Sequence, residues 1–374
     1  MTLAKAAGLD PATDFRGQDL RGLNFGASDL TGFDFSGADL TGCDLSRARV
    51  DGVLMEGARI RGELRFLSLA GHSDGVASIA FSADGTHLAT GSDDGSARLW
   101  DLVTSRKSAR LQCSEGSIIS IAISPDGTRL ATGSDDNSAR LWDLTTGREV
   151  AWLEGHGSAV TSVSFSSDGR RLATGSWDTT ARIWDIATAE EIVWLECQEP
   201  VDSVAFAPDG SHLATAAGDS ARLWNSFTGL DIAHLEGHES WVSSVAFHPG
   251  GRRLATGSYD NSARLWDLAS GAVVTRLEGH ASYVSSVAFF PNGTRLATGS
   301  GDRTARLWDL ATGREIARIE GHEDWVRSVA LSPDGRHLAT GSSDNTARLW
   351  LAPSGSSDCY EPEMDDSGFI AGVR

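Results

Sequence analysis

Apolar residues recur along this chain at two different spacings, and the change between them falls near residue 62. Before it, Phe15, Leu20, Phe25, Leu30, Phe35, Leu40, Leu45, Val50, Met55 and Ile60 stand five residues apart, mostly after Asp or Asn and often two residues ahead of Gly. That spacing fits neither a helix of 3.6 residues per turn nor the two-residue alternation of a strand. Beyond it the chain breaks into short, partly alternating runs. Trp241-Val242-Ser243-Ser244-Val245-Ala246-Phe247 is followed by Pro249-Gly250-Gly251, then Arg253-Leu254-Ala255-Thr256, a second turn at Tyr259-Asp260-Asn261, and Ala263-Arg264-Leu265-Trp266. The first turn elsewhere reads Asp84-Gly85, Asp126-Gly127, Asp168-Gly169, Asp209-Gly210, Asn292-Gly293 or Asp334-Gly335, dipeptides that accept the positive φ of a tight hairpin. Each unit therefore predicts four antiparallel strands. The phrase Ala-Arg-(Leu/Ile)-Trp closes at residues 100, 142, 184, 224, 266, 308 and 350, at intervals of 42 residues except for one of 40.

A repeat of about 40 to 45 residues that opens on Gly-His and closes on Trp-Asp resembles the WD40 family, in which each repeat supplies four strands to a propeller blade. The five-residue series, with phrases such as Ala38-Asp39-Leu40-Thr41-Gly42, resembles the pentapeptide-repeat family. The two resemblances imply an all-β chain: a seven-bladed β-propeller over residues 63–352, preceded by a short right-handed quadrilateral β-helix of about two and a half coils over residues 12–62. Residues 1–11 are expected to cap the coil, and the acidic, Ser/Gly-rich tail 353–374 to be disordered. The seventh unit ends at Trp350-Leu351-Ala352-Pro353 without an outer strand, while Gly62-Glu63-Leu64-Arg65-Phe66-Leu67-Ser68-Leu69-Ala70-Gly71-His72 matches the outer strand and loop at Gly313–His322. Residues 63–69 are thus expected to complete the last blade, hiding an edge and coupling the two ends of the ring.

Four residue types recur within the units: His72, Asp94, Thr90 and Trp100; His156, Asp178, Thr174 and Trp184; His238, Asp260, Thr256 and Trp266; His280, Asp302, Thr298 and Trp308; His322, Asp344, Thr340 and Trp350. A His near an Asp and a hydroxyl has the ingredients of a nucleophilic triad, but five copies in one chain point to architecture. The WD40 resemblance implies a buried hydrogen-bond chain running from His through Asp and Thr to the indole. Two units depart from the pattern. The second has Cys113-Ser114 in place of Gly-His, and the fourth has Cys197-Gln198, is two residues short, and closes on Trp224-Asn225. Their loops are expected to be the most mobile, either as drifted repeats or as a binding notch.

The Gly-His loops and Asp turns must share one face, here called upper, with the coil and tail joining at the lower rim of the last blade. Trp241, Tyr283 and Trp325 stand just ahead of the first-strand Val, and Asp93, Asp135, Trp177 and Tyr259 just before the turn Asp. WD40 proteins commonly bind peptides with residues at these positions, and exposed aromatics suit recognition. The acidic residues favour a partner segment containing Arg or Lys, with Arg327 an exception on the same rim. Composition narrows the classes further. The formal charge is -19, of which residues 353–374 carry -4 and residues 1–62 only -2, so no basic stripe exists for nucleic acid. Cys43, Cys113, Cys197 and Cys359 include no CxxC pair, and no apolar run approaches a membrane span. The expectation is a cytoplasmic, non-enzymatic scaffold or sensor without cofactor or metal, of bacterial type, since Arg outnumbers Lys 30 to 2. It would work in signalling or defence. Self-assembly through the coil, or a propeller enzyme using the central channel, are the competing classes.

Overall fold

A computed structural model describes residues 15–23, the single positions 25, 28, 30, 33, 35, 38 and 43, and residues 67–102, 106–112 and 116–352. The expected N-terminal cap, the apolar positions from Leu40 to Ile60, residues 63–66, Cys113-Ser114 and the acidic tail lie outside the described residues.

Strands among the described residues form seven four-stranded antiparallel sheets. In the first, β2 (Val76–Phe81), β3 (His87–Ser92), β4 (Ser96–Asp101) and β5 (Arg106–Gln112) run from the centre of the ring outward. Five further blades repeat that order. The seventh is made of β26 (Val326–Leu331), β27 (His337–Ser342) and β28 (Thr346–Leu351), and its outer strand is β1 (Leu67–Ala70), which pairs Leu67 with Leu349 and Ala70 with Thr346. Among the described residues every regular element is a strand, and the first of them closes the last blade.

Why these residues make blades is visible strand by strand. The turn dipeptides fold as tight hairpins, Gly169 for example standing at φ 68°. The second strand is buried almost throughout, because it lies between its own sheet neighbours and the inner strand of the next blade. Each inner strand carries one bulge, at Ala77, Ile119, Thr161, Asp202, Ser243, Ser285 or Arg327, where the register to the second strand slips by one residue.

Immediately after each bulge stands a serine. Ser78 accepts the backbone N–H of Ile121, Ser120 that of Val163, Ser162 that of Val204, Ser203 that of Val245, Ser244 that of Val287, and Ser286 that of Val329. Ser328 accepts that of Ile79 at 3.2 Å and closes the circle. Sheet pairing does not cross between blades, and each inner strand is the edge of its sheet, so this ring gives seven inner-strand N–H groups an acceptor in the neighbouring blade.

The described part of the five-residue coil repeats one backbone bond. Leu23 N–H donates to Leu20, Ser28 to Phe25, Phe33 to Leu30 and Ala38 to Phe35, at 2.9–3.2 Å. Leu20, Leu30 and Phe35 are buried, as is a second series at Phe33, Ala38 and Cys43. Phe15, Phe25, Phe33 and Phe35 interlock with ring centroids 5.1–5.8 Å apart. This core is continuous with that of the first and last blades through Leu69, Leu349, Phe81 and Leu102.

Candidate functional site

Two polar constructions occupy the upper half of the ring. The first is the repeated quartet. In the fifth blade the Trp266 indole N–H lies 2.8 Å from Thr256 Oγ1, which lies 2.7 Å from His238 Nε2; His238 Nδ1 is 2.7 Å from Asp260 Oδ2. The other four sets agree to within 0.3 Å: Trp100, Thr90, His72 and Asp94; Trp184, Thr174, His156 and Asp178; Trp308, Thr298, His280 and Asp302; Trp350, Thr340, His322 and Asp344. The order differs from the expected one, because His rather than Asp adjoins Thr. The reason is that the carboxylate is needed at the turn: Asp260 also accepts from the backbone and hydroxyl of Ser262 and from the Glu239 N–H.

Hydrogen counting sets the tautomer. The Thr oxygen accepts from the indole and has one proton, which goes to His Nε2; His Nδ1–H then donates to the carboxylate. The imidazole is neutral. Burial pushes the His238 pKa down, and Asp260 opposes that without cancelling it; His72, His156 and His280 behave alike. Burial also pushes the Asp260 carboxyl up, but the bonds from Ser262 and His238 outweigh it and bring it down to about 2. A triad of this kind lacks an accessible nucleophile, since each Thr is fully buried.

The third-strand Arg of the repeated phrase explains the Gly of Gly-His. Arg306 reaches Glu315 at 2.6 Å and Asp302 at 3.4 Å, and its guanidinium passes so close to Gly279 that a Cβ there would lie 2.8 Å from the Arg nitrogen. In the fourth blade the buried Cys197 thiol replaces His, 4.0 Å from Thr215 Oγ1, which still accepts the Trp224 indole at 2.9 Å. In the second, Asp136 turns to Arg140 at 2.8 Å, while Thr132 keeps the Trp142 indole at 3.1 Å.

The second construction rims the channel mouth. Tyr259 and Tyr283 stack with centroids 4.8 Å apart, and Trp325 meets Tyr283 edge-on at 5.7 Å, so three blades share one aromatic arc. Trp177, Trp241, Tyr259 and Trp325 are each about half exposed, at 51%, 48%, 49% and 51%. Tyr283 is held between its neighbours, and burial pushes its hydroxyl up to about 12. Asp93 is joined to Arg327 across the seam between the last and first blades, so the two predicted opposite charges satisfy one another. Asp135 is exposed and lies over Gly116, away from the arc.

Asp202 is the residue that sequence reasoning missed. It occupies the bulge of the fourth inner strand (Val201–Phe206), and its Oδ1 accepts the Trp177 indole N–H at 2.9 Å. Its Oδ2 is shielded from solvent and has no hydrogen-bond partner among the described residues. The available signal was the bulge column itself, where Asp202 and Arg327 are the two charges among seven otherwise apolar or hydroxyl residues. Among the described residues no group of three His, Cys, Asp or Glu side chains is placed to hold a metal ion, and no helix is long and apolar enough to cross a membrane.

Comparison with known proteins reports on the repeats. Of the "Protein Notchless" of Drosophila melanogaster, 37 residues match at 57% identity, covering 10% of this chain and 8% of that protein. The ribosome biogenesis protein ERB1 of Debaryomyces hansenii matches over 37 residues at 49% identity, 10% of this chain and 5% of that protein. The chain thus spans less than a tenth of either relative, about the length of one repeat. Pentapeptide repeats match residues 19–57. The WD domain, G-beta repeat matches seven times, at residues 64–101, 105–143, 147–185, 192–225, 229–267, 271–309 and 313–350, and with well over half its length so matched the chain belongs to the WD-domain, G-beta repeat family.

Proposed function

We propose that the protein is a non-catalytic interaction scaffold or sensor whose upper propeller face binds a segment of another protein, in a cytoplasmic and bacterial signalling or defence setting. Propellers of this family generally serve protein interaction. The observation that carries the upper-face reading is the arc of Tyr259, Tyr283 and Trp325, flanked by half-exposed Trp241 and Trp177. Large aromatics left in water around a rigid concavity are costly to keep there and are the groups that anchor protein interfaces. Acidic surroundings suit a partner carrying Arg or Lys, and aromatic faces accept a guanidinium. The quartets stay outside this role: we assign them to the architecture of the turn.

The test compares partner capture from native lysate by the full chain and by a Trp241→Ala, Tyr283→Ala, Trp325→Ala variant whose melt shows it folded. Capture retained by the wild type and lost by the variant supports the upper face. Equal capture moves the site elsewhere. Stacking through the coil, the competing assembly reading, falls largely on residues outside those described.

A further inference from the structure

We infer that Asp202 is the specificity-determining residue of the channel mouth, its carboxylate receiving one cationic side chain of the bound segment under the cover of Trp177. The inference rests on the upper-face reading above and names the chemistry of its ligand.

The bulge column makes Asp202 exceptional. Thr161, Ser243 and Ser285 at equivalent positions donate their hydroxyls to the carbonyl of the adjoining inner strand, at Val201, Val284 and Val326. Arg327 is paired with Asp93. Among the described residues Asp202 alone in the column carries a charge without an ionic partner: one oxygen takes the Trp177 indole, and the other is shielded from solvent with no donor among them. An uncompensated buried carboxylate opposes folding, and burial pushes this one up despite the indole bond. The shielding indole is itself half in water at the start of the turn after its strand, so it can yield to a ligand. Tyr259, half-exposed in the turn of the next blade, is near enough for the Asp202 charge to add to the burial that raises its hydroxyl pKa. The fourth blade is also two residues shorter than its neighbours, in the loops on the Asp202 side. A planar guanidinium, able to pair with the carboxylate and stack on the ring faces, fits best.

The test follows the indole N–H resonances of full-length protein labelled with 15N-tryptophan, with Trp177 assigned through Trp177→Phe. The probes are N-acetyl-arginine methylamide, its lysine counterpart and the uncharged citrulline isostere. A saturable shift of the Trp177 indole with arginine, absent with citrulline and weakened at least about tenfold in Asp202→Asn, is the expected result; a lysine response of any size up to that of arginine supports the same carboxylate. Asp202→Ser, which installs the residue found in the next two blades, repeats the measurement should the Asn variant fold poorly. A citrulline response equal to that of arginine, an undiminished response in both variants, or no saturable response to any probe overturns the inference. Partner capture separates the two levels: capture lost by the aromatic triple variant but intact in Asp202→Asn removes Asp202 and leaves the face, while capture intact in both removes the face.

Discussion

His238 shows how one residue type serves chemistry in one protein and architecture in another. Its imidazole bridges Thr256 and Asp260 deep in a blade, neutral and with both nitrogens spoken for. His238→Ala leaves the Thr256 hydroxyl and the Asp260 carboxylate each short of a partner and is expected to lower stability by about 2–4 kcal/mol in urea unfolding, about 1–3 kcal/mol for each abandoned group less local relaxation. The same geometry sets a pH response. His72, His156, His238 and His280 have folded pKa values below the usual value of about 6.5, so the unfolded chain binds more protons and stability falls as pH drops below that point. The carboxylates Asp94, Asp178, Asp260, Asp302 and Asp344, held below their usual range, add a second loss of the same sign below about pH 4. Thermal melts from pH 8 to pH 4 should therefore decline first between about 6.5 and 5; a flat profile there contradicts the neutral tautomer. The quartet members could be picked out from the sequence because their spacing repeats five times. Their order could not, since spacing does not say which atom of Asp the turn requires.

The strands were legible because period-two alternation and Asp-Gly turns are local signals, and the unit repeats. What joins one blade to the next was not, because it depends on contacts some 42 residues apart between side chain and backbone. The serine after each bulge is an example: it reads as an ordinary polar strand residue, yet Ser328 supplies the acceptor that closes the ring onto Ile79. Ser328→Ala should cost about 1–3 kcal/mol and speed amide exchange at Ile79 more than at Ile121, whose acceptor Ser78 is untouched. Equal exchange at the two amides would deny the seam its special role. Cys43 was likewise legible only as a scattered thiol, and Cys197 only as part of the Cys-Gln pair in place of Gly-His, with its contact unread. Cys43 proves to be an inward coil residue whose thiol meets the Leu20 carbonyl at 3.0 Å, and Cys197 a stand-in for His.

Across the whole molecule, closure depends on a strand contributed from far away in sequence. β1 pairs with β28, and Leu69 is buried beside Leu349 in the cluster that also receives the coil. Deleting residues 67–70 bares the edge of β28 and removes Leu69 from the core it shares with the coil, so the melting temperature should fall by about 10 °C or more at roughly 2–4 °C per kcal/mol, with aggregation seen by light scattering. An unchanged, monodisperse melt would mean that the seven blades hold without the closing strand. Closure also fixes what the molecule presents: a ring with an aromatic arc on its upper face, and a rim where Trp152 and Trp194 stand exposed on the outer strands of the second and third blades. The most direct test of the central claim places a photo-crosslinking amino acid at position 325 on the mouth and, separately, at 194 on the rim, in otherwise native protein within its own lysate. A discrete partner adduct at 325, absent at 194 and abolished by Asp202→Asn together with Tyr259→Ala, is the predicted result; an adduct confined to 194 would contradict it and move recognition to the rim.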